Sequence, residues 1–224
     1  MKVSDKIRER IVAAGGKFYA NDNIAAYMQE GEEQQLQEEV ALQVSELLKS
    51  LVIDSENDHN TKGTADRVAK MYIKEVYKGR YTCQPAVTDF PNVKDLNQIY
   101  TVGPITVRSA CSHHLVPIMG SAWIGVIPSD RVIGISKFNR LTEWVMARPQ
   151  IQEEATVQLA DEIERLIKPK ALAVIVKASH LCMTWRGVRE SNTSMTTSVM
   201  RGLFMESDGA RAEFLSLIKG QAYV

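Results

Sequence analysis

The sequence predicts an α+β fold, with a helical region in front of a core that runs strand pair, helices, strand pair. Three observations carry this reading. Helical periodicity dominates to about residue 78, period-two alternation begins near residue 99, and a long helical stretch separates the first strand-like runs from the last. At 224 residues, 45% of them hydrophobic and 24% charged, the chain is long enough to bury a sizeable core. The pattern divides into a variable segment over 1–30, a helical region over 31–97 and a β-rich domain over 98–224.

Residues 1–30 contain the breakers Gly15-Gly16 and Asn21-Asp22-Asn23, which predict a weakly ordered or partner-dependent start. Over 32–53, Leu36, Val40, Val44, Leu47, Leu48 and Leu51 recur at spacings of three and four, the mark of an amphipathic helix. A second helix is predicted over about 64–78, with Thr64 as N-cap and Val68, Met71, Tyr72 and Val76 as its apolar stripe. On it Arg67, Lys70 and Lys74 share a face. Residues 79–97, with Pro85 and Pro91, read as a loop.

The period then changes. Ile105, Val107, Ser109 and Cys111 alternate with Thr106, Arg108 and Ala110, and Ser121–Ile127 forms a second β-like run. Pro128-Ser129-Asp130 reads as a turn, and 132–135 as a short apolar run that leads to a loop carrying Lys137 and Arg140. Helical period returns over 138–168, broken or restarted at Pro149, with Ile151, Ala155, Leu159, Ile163 and Leu166 as the buried stripe. Ala171–Val176 is a strand that delivers His180 and Cys182, residues 193–203 form a last strand, and 207–220 are helical. No internal repeat or low-complexity tract interrupts the order.

The formal net charge is +0, so nothing global favours nucleic acid or an anionic membrane, and an anionic ligand has to be held by a local group of cations. The first ten residues carry positive charge without an apolar run behind them, and no window approaches the ~20 apolar residues of a membrane span. The expectation is a cytoplasmic protein. In that compartment three cysteines point to reduced thiols, metal ligation or catalysis instead of a disulfide framework.

Two of the three cysteines and three of the four histidines fall into Cys111-Ser112-His113-His114-Leu115-Val116-Pro117 and His180-Leu181-Cys182. A lone cysteine is ordinarily a buried core thiol and a lone histidine a hydrogen-bonded structural imidazole. Concentrated in two short stretches, they point to zinc. Cys111 and His114 can reach one ion, and Cys182 supplies a third ligand if its strand lies beside the first. Three protein ligands leave a position open for water, the arrangement of a catalytic site, whereas a structural site takes four. His113 and His180 are then candidates for proton transfer.

Lys137, Arg140, Arg186 and Arg189 lie beside these motifs, with Arg67 and Lys70 on the earlier helix. Each alone is an ordinary solvated charge. Together they suggest a polyphosphate site, since Arg and Lys are the usual phosphate partners. Glu153 opens a helix, where acidic residues are favoured in any case. A carboxylate there can also accept two hydrogen bonds from the N1–H and exocyclic amine of guanine.

Together these motifs resemble the GTP cyclohydrolase I family. The resemblance is carried by 111–117, by Val132-Ile133-Gly134-Ile135-Ser136-Lys137, by Arg148-Pro149-Gln150-Ile151-Gln152-Glu153, by His180-Leu181-Cys182-Met183 with Arg186-Gly187-Val188, and by 64–72. It spans about residues 34–218, in family order. It implies the tunnelling fold, a four-stranded antiparallel sheet with helices on one side. The sheets are pooled into an oligomeric β-barrel, in a homodecamer built as a dimer of pentamers with active sites between subunits. It implies one zinc ion per subunit held by Cys111, His114 and Cys182, GTP as substrate, and no nucleic-acid or membrane partner. Water addition at C8 of guanine, ring opening assisted by His113 and His180, loss of formate and ring closure would yield 7,8-dihydroneopterin triphosphate, the first step of pterin and folate-type biosynthesis. Glu153 matches the guanine-recognising carboxylate and Gln152 a neighbouring ring contact. Ser136, Lys137, Arg140 and Arg186 match residues around the ribose and triphosphate. Arg67 and Lys70 match phosphate contacts from a neighbouring subunit.

Two positions depart from the family pattern. Ser112 stands where a glutamate is usual, which bears on rate, because a carboxylate behind a ligand orients imidazoles and water. Ala65 stands where proline is common, which bears on helix stability alone. Besides a structural zinc module that binds protein, whose fourth ligand would have to be Cys83 or His59, neither at a ligand-like spacing, two other readings are a related tunnelling-fold enzyme acting on a pterin or deazaguanine, and a catalytically weak GTP-binding paralogue with a regulatory role. The retained Glu153 and cation set argue against the first, and Ser112 is the one feature that favours the second.

Overall fold

The computed structural model describes residues 1–220, which divide into two compact units, residues 1–83 and residues 84–220. The N-terminal unit contains α1 (Val3–Ala13), α2 (Glu32–Ser50), α3 (Thr64–Lys70) and α4 (Lys78–Tyr81). The start of the chain differs from the sequence expectation. Val3, Ile7 and Ile11, four residues apart, bury one stripe of α1 against Ile24, Leu36 and Ile73. Ser4 ties α1 to α2 by donating its backbone N–H and its hydroxyl to Glu39, at 3.1 and 2.6 Å. The breaker stretch that follows is pinned by Arg80, whose guanidinium donates to the carbonyls of Phe18, Tyr19, Ala20 and Asp22.

Two further details of this unit correct the sequence reading. The cap before α3 is Gly63, at φ 76°, and Thr64 is already helical, accepting from the Arg67 guanidinium at 2.9 Å. Beyond Lys70 the helix widens into a π-turn over Met71–Val76. The wider turn rotates the buried face onto Ala69, Ile73 and Tyr77, leaving Val76 exposed. In α2 the apolar stripe is real but only partly covered: Leu36 and Leu48 are buried, and Leu47 and Leu51 are exposed. The 79–97 stretch is not all loop, since α4 begins it and β1 (Asp89–Pro91) lies within it.

The second unit is built on a five-stranded sheet of β2 (Tyr100–Cys111), β3 (Pro117–Ile127), β5 (Pro149–Gln150), β6 (Ala171–His180) and β7 (Met195–Gly202), in the order β5-β2-β3-β6-β7. β2, β3, β6 and β7 pair antiparallel, and the two-residue β5 adds to the edge in parallel. β4 (Arg131–Ile133) pairs with β1 in a separate two-stranded sheet. The predicted break at Pro149 is thus a short strand between α5 (Ile135–Met146) and α6 (Gln152–Ile167). Alternation sets the faces. Ile105 and Val107 of β2, Ala122, Ile124 and Val126 of β3, and Leu172, Val174 and Val176 of β6 all bury against α5 and α6. The α6 stripe is Ala155, Leu159, Ile163 and Ile167.

The helices are not confined to one side. On the other face Trp123, Ile127, Ala171, Ala173 and Ile175 pack against Phe204 and Phe214, carried by α8 (Leu203–Glu206) and α9 (Asp208–Ile218). This cover is seated on Gly125, where a β-carbon would come within 2.5 Å of the Phe214 ring. Gly125→Val is therefore expected to lower stability by roughly 1–3 kcal/mol, the usual cost of overpacking. Urea unfolding measures it, and an unchanged midpoint would mean that α9 does not rest on this strand.

Candidate active site

Register decides which residues meet. Ala110 lies opposite Pro117, and Ile118 lies opposite His180. The end of β2, the start of β3 and the end of β6 therefore share one end of the sheet. Cys111, buried, closes β2, and the chain turns at once. Leu115 donates to the Cys111 carbonyl at 2.8 Å, and Cys111 donates to the Val116 carbonyl at 2.9 Å. Leu115 holds a φ of 55°, uncommon for a residue with a side chain, and this tightens the turn that presents His113 and His114 to solvent.

The turn is braced from the side. β5 pairs Gln150 with Cys111, and the Gln150 carbonyl accepts from the Ser112 N–H at 3.1 Å. The buried Gln150 amide donates to the carbonyls of Val145 and Met146 at the end of α5, at 2.9 and 3.2 Å. It also reaches the Ser109 hydroxyl at 3.2 Å. Beside it Arg148 is buried with its guanidinium 4.2 Å from the centre of the Trp144 ring.

Cys182 lies two residues beyond the strand, in α7 (Leu181–Thr184), and not on the strand itself. One ligand atom each from Cys111, His114 and Cys182 lie within 4.8 Å of one another, a group that could hold a metal ion. Two thiolates and an imidazole are donors that would suit zinc. Burial pushes the Cys182 thiol up, and the neighbouring Cys111 thiol adds to the shift. The positive charge of Arg186 opposes the shift without reversing it, and two thiols crowded together are a donor set that a divalent cation would relieve.

His180, the last residue of β6, is half-buried. Its burial holds the imidazole below its ordinary range, opposed by the negative charge of Glu153. His180 Nε2 lies 2.8 Å from Gln152 Oε1. Glu153 is exposed in the first turn of α6, while Gln152 beside it is 3% exposed. The Arg186 guanidinium donates to His114 Nε2 at 3.0 Å. His113 Nδ1 lies 3.7 Å from Cys111 Sγ.

The remaining candidates divide between the units. Ser136, Lys137 and Arg140 lie in the first two turns of α5, a helix where the sequence suggested a loop. Lys137 and Arg140, three apart, share a face, and Lys137 donates to the Ala86 carbonyl at 3.0 Å. Arg67 and Lys70 lie on α3 in the N-terminal unit, with Arg67 turned onto the carbonyls of Lys62 and Asn60. Among the described residues no helix is long and apolar enough to cross a membrane.

The sequence profile described as GTP cyclohydrolase I matches residues 35–219. The chain belongs to the GTP cyclohydrolase I family. The match to this family takes in every candidate residue named above, and leaves α1 outside it. GTP cyclohydrolase 1 of Edwardsiella ictaluri is 37% identical over 182 residues, 81% of this chain and 82% of the relative. GTP cyclohydrolase 1 of Flavobacterium johnsoniae is 38% identical over 183 residues, 81% of each. A crystal structure of an archaeosine synthase (QueF-like, apo form) overlaps 54% of this chain and 97% of its own, at a TM-score of 0.37 and 15% identity, too distant to bear on fold or function. Sequence reasoning gave no role to Gln150, whose amide braces the turn, nor to Thr156 and Thr197, whose hydroxyls lie within hydrogen-bond distance of Gln152. The available signal was polar residues at positions where the strand and helix patterns call for buried ones.

Proposed function

We propose that this chain is a zinc-dependent GTP cyclohydrolase, converting GTP to 7,8-dihydroneopterin triphosphate with release of formate. The observation that carries the proposal is the convergence of Cys111, His114 and Cys182 with His180 at one end of one sheet, in a chain of this family. Two thiolates and one imidazole suit zinc and leave one coordination position for substrate chemistry. When bound, zinc supplies the Lewis acidity that lets water add at C8 of guanine near neutral pH.

The protein groups do the rest. Glu153 accepts from the guanine N1–H and exocyclic amine, which orients C8. Lys137, Arg140 and Arg186, with Ser136, hold the ribose and triphosphate, and Arg67 and Lys70 of a neighbouring subunit add phosphate contacts. His113 and His180 move protons as the imidazole ring opens to a formamide and as a second water releases formate. The ribose chain then closes onto the pyrimidine amine with loss of water, so that one water is consumed overall. We assign the assembly as a cytoplasmic homodecamer of tunnelling-fold subunits whose sheets pool into a β-barrel.

Zinc-loaded protein incubated with GTP is expected to release formate and, after oxidation, a fluorescent pterin in equal amounts. GTP binding without formate would overturn the proposal in favour of the regulatory paralogue that Ser112 favours. Glu153→Gln is expected to raise the Kd for GTP about 10- to 100-fold, because an amide cannot accept from both guanine donors, and losing one charge-assisted hydrogen bond while neutralising the other has that size. Unchanged affinity would place guanine recognition elsewhere.

A further inference from the structure

The geometry points to Gln152 as a positioning residue that fixes the tautomer of His180, and not as a contact to the substrate ring. This deepens the cyclohydrolase reading and rests on it for the consequence, though not for the tautomer itself. Gln152 sits at the start of α6 with 3% of its surface exposed, so its amide is spent inside the protein.

Its two ends are distinguishable. Gln152 Nε2 lies 3.0 Å from the Val176 carbonyl and 3.2 Å from the Met195 carbonyl, on the adjacent strands β6 and β7. Both are acceptors only, so the group facing them has to be the NH2. Turning the amide over would set its oxygen against two carbonyl oxygens. A third contact, 3.1 Å to Thr197 Oγ1, is consistent with this. The Thr156 hydroxyl donates to the Gln152 backbone carbonyl at 2.7 Å, and Thr156 and Thr197 are themselves 2.7 Å apart. The Thr156 proton is committed to that carbonyl, so Thr197 donates to Thr156 and its lone pairs remain to accept from Gln152.

The consequence for His180 follows by elimination. Gln152 presents its oxygen to His180 Nε2 at 2.8 Å, and an oxygen with no proton can only accept. His180 Nε2 therefore carries a hydrogen, and in the neutral ring Nδ1 is the free lone pair. Half the ring's ambiguity is removed before any substrate arrives. A proton-transferring imidazole with a mixed tautomer population has the correct nitrogen available only part of the time. The wider network Thr197–Thr156–Gln152 runs through α6, β6 and β7, so the sheet itself holds the ring.

The experiment is 15N NMR of the zinc-loaded enzyme labelled on histidine, without GTP, with the His180 signals assigned by comparison with His180→Asn. The expected result is a protonated Nε2 and an unprotonated Nδ1 in the wild type. A protonated Nδ1 with a bare Nε2 would overturn the inference whatever the enzyme's activity, and this arm needs no variant to fold. In Gln152→Met, which keeps the length of the side chain and removes the amide, the His180 pattern is expected to move toward a mixture. In that variant kcat is expected to fall roughly 10- to 100-fold with KM for GTP unchanged, part of the range over which general acid–base groups act. A raised KM with unchanged kcat and an unchanged His180 spectrum would return Gln152 to the substrate contacts and sink the proposal. A wild-type protein with the expected spectrum but no turnover would instead count against the cyclohydrolase reading and leave the tautomer standing.

Discussion

Cys182→Ser is expected to lose zinc and turnover together. The serine hydroxyl matches the thiol in shape and fails it in chemistry, because it stays protonated near neutral pH and is a hard, weak donor toward a borderline-soft ion. Cys182 is one of only three ligand atoms brought within 4.8 Å, so among the described residues nothing in that group replaces it. Two ligands hold a divalent ion too loosely to survive dialysis. Formate release is expected about a thousandfold or more below wild type, which corresponds to ~4 kcal/mol of barrier. The fold should persist, since Cys182 is outside the main sheet and only packs against the small cluster of Cys111, Ile118 and Ala178. Metal content per subunit by mass spectrometry is the readout, and a full complement of zinc in the variant would remove Cys182 from the ligand set.

His113→Ala and His114→Ala are expected to part company although the residues are adjacent. His114 belongs to the ligand triangle, and His113 does not. Its Nδ1 lies 3.7 Å from Cys111 Sγ, at the margin of a contact to sulfur, and its ring is exposed. His114→Ala should lose the metal. His113→Ala should keep both zinc and GTP binding while kcat falls roughly 10²- to 10⁴-fold, the contribution of a single proton-transferring group. Measuring zinc, GTP affinity and kcat on the pair separates ligation from proton transfer. An active His113→Ala enzyme would leave that residue with no chemical role.

The site was readable where chemistry is rare and the fold where periodicity is strong. Cys111, His114 and Cys182 stood out because the chain has few other residues that bind soft metals, and the structure brings these three together. The alternation in β2 put Ile105, Val107 and Cys111 on the face the structure buries, and the stripe of α6 was right over Ala155, Leu159 and Ile163 but not at its two ends. The failures have physical reasons. Val3, Ile7 and Ile11 are spaced for a helix, but nearby glycines and charges outweighed a stripe of three. Leu47 and Leu51 are periodic yet exposed, because periodicity shows an apolar face without showing what covers it. Gln152 was picked out by the family resemblance alone, as a ring contact, and nothing in the sequence pointed to its partners. A buried glutamine has the same letter as a surface one, and its partners come from strands that meet only after folding.

The pairing of β6 with β3 has a consequence for how the chain is proofread. Strand side chains alternate, so a slip of one residue would send His180 to the opposite face and shift Cys182 by about 3.3 Å along the strand. The ligand triangle would open beyond the reach of one ion. A metal bound there would therefore reward a single alignment of two strands from distant parts of the sequence, and a misthreaded sheet would forfeit that stabilisation. With a metal bound, the cluster at the sheet's end would check assembly as well as serve chemistry.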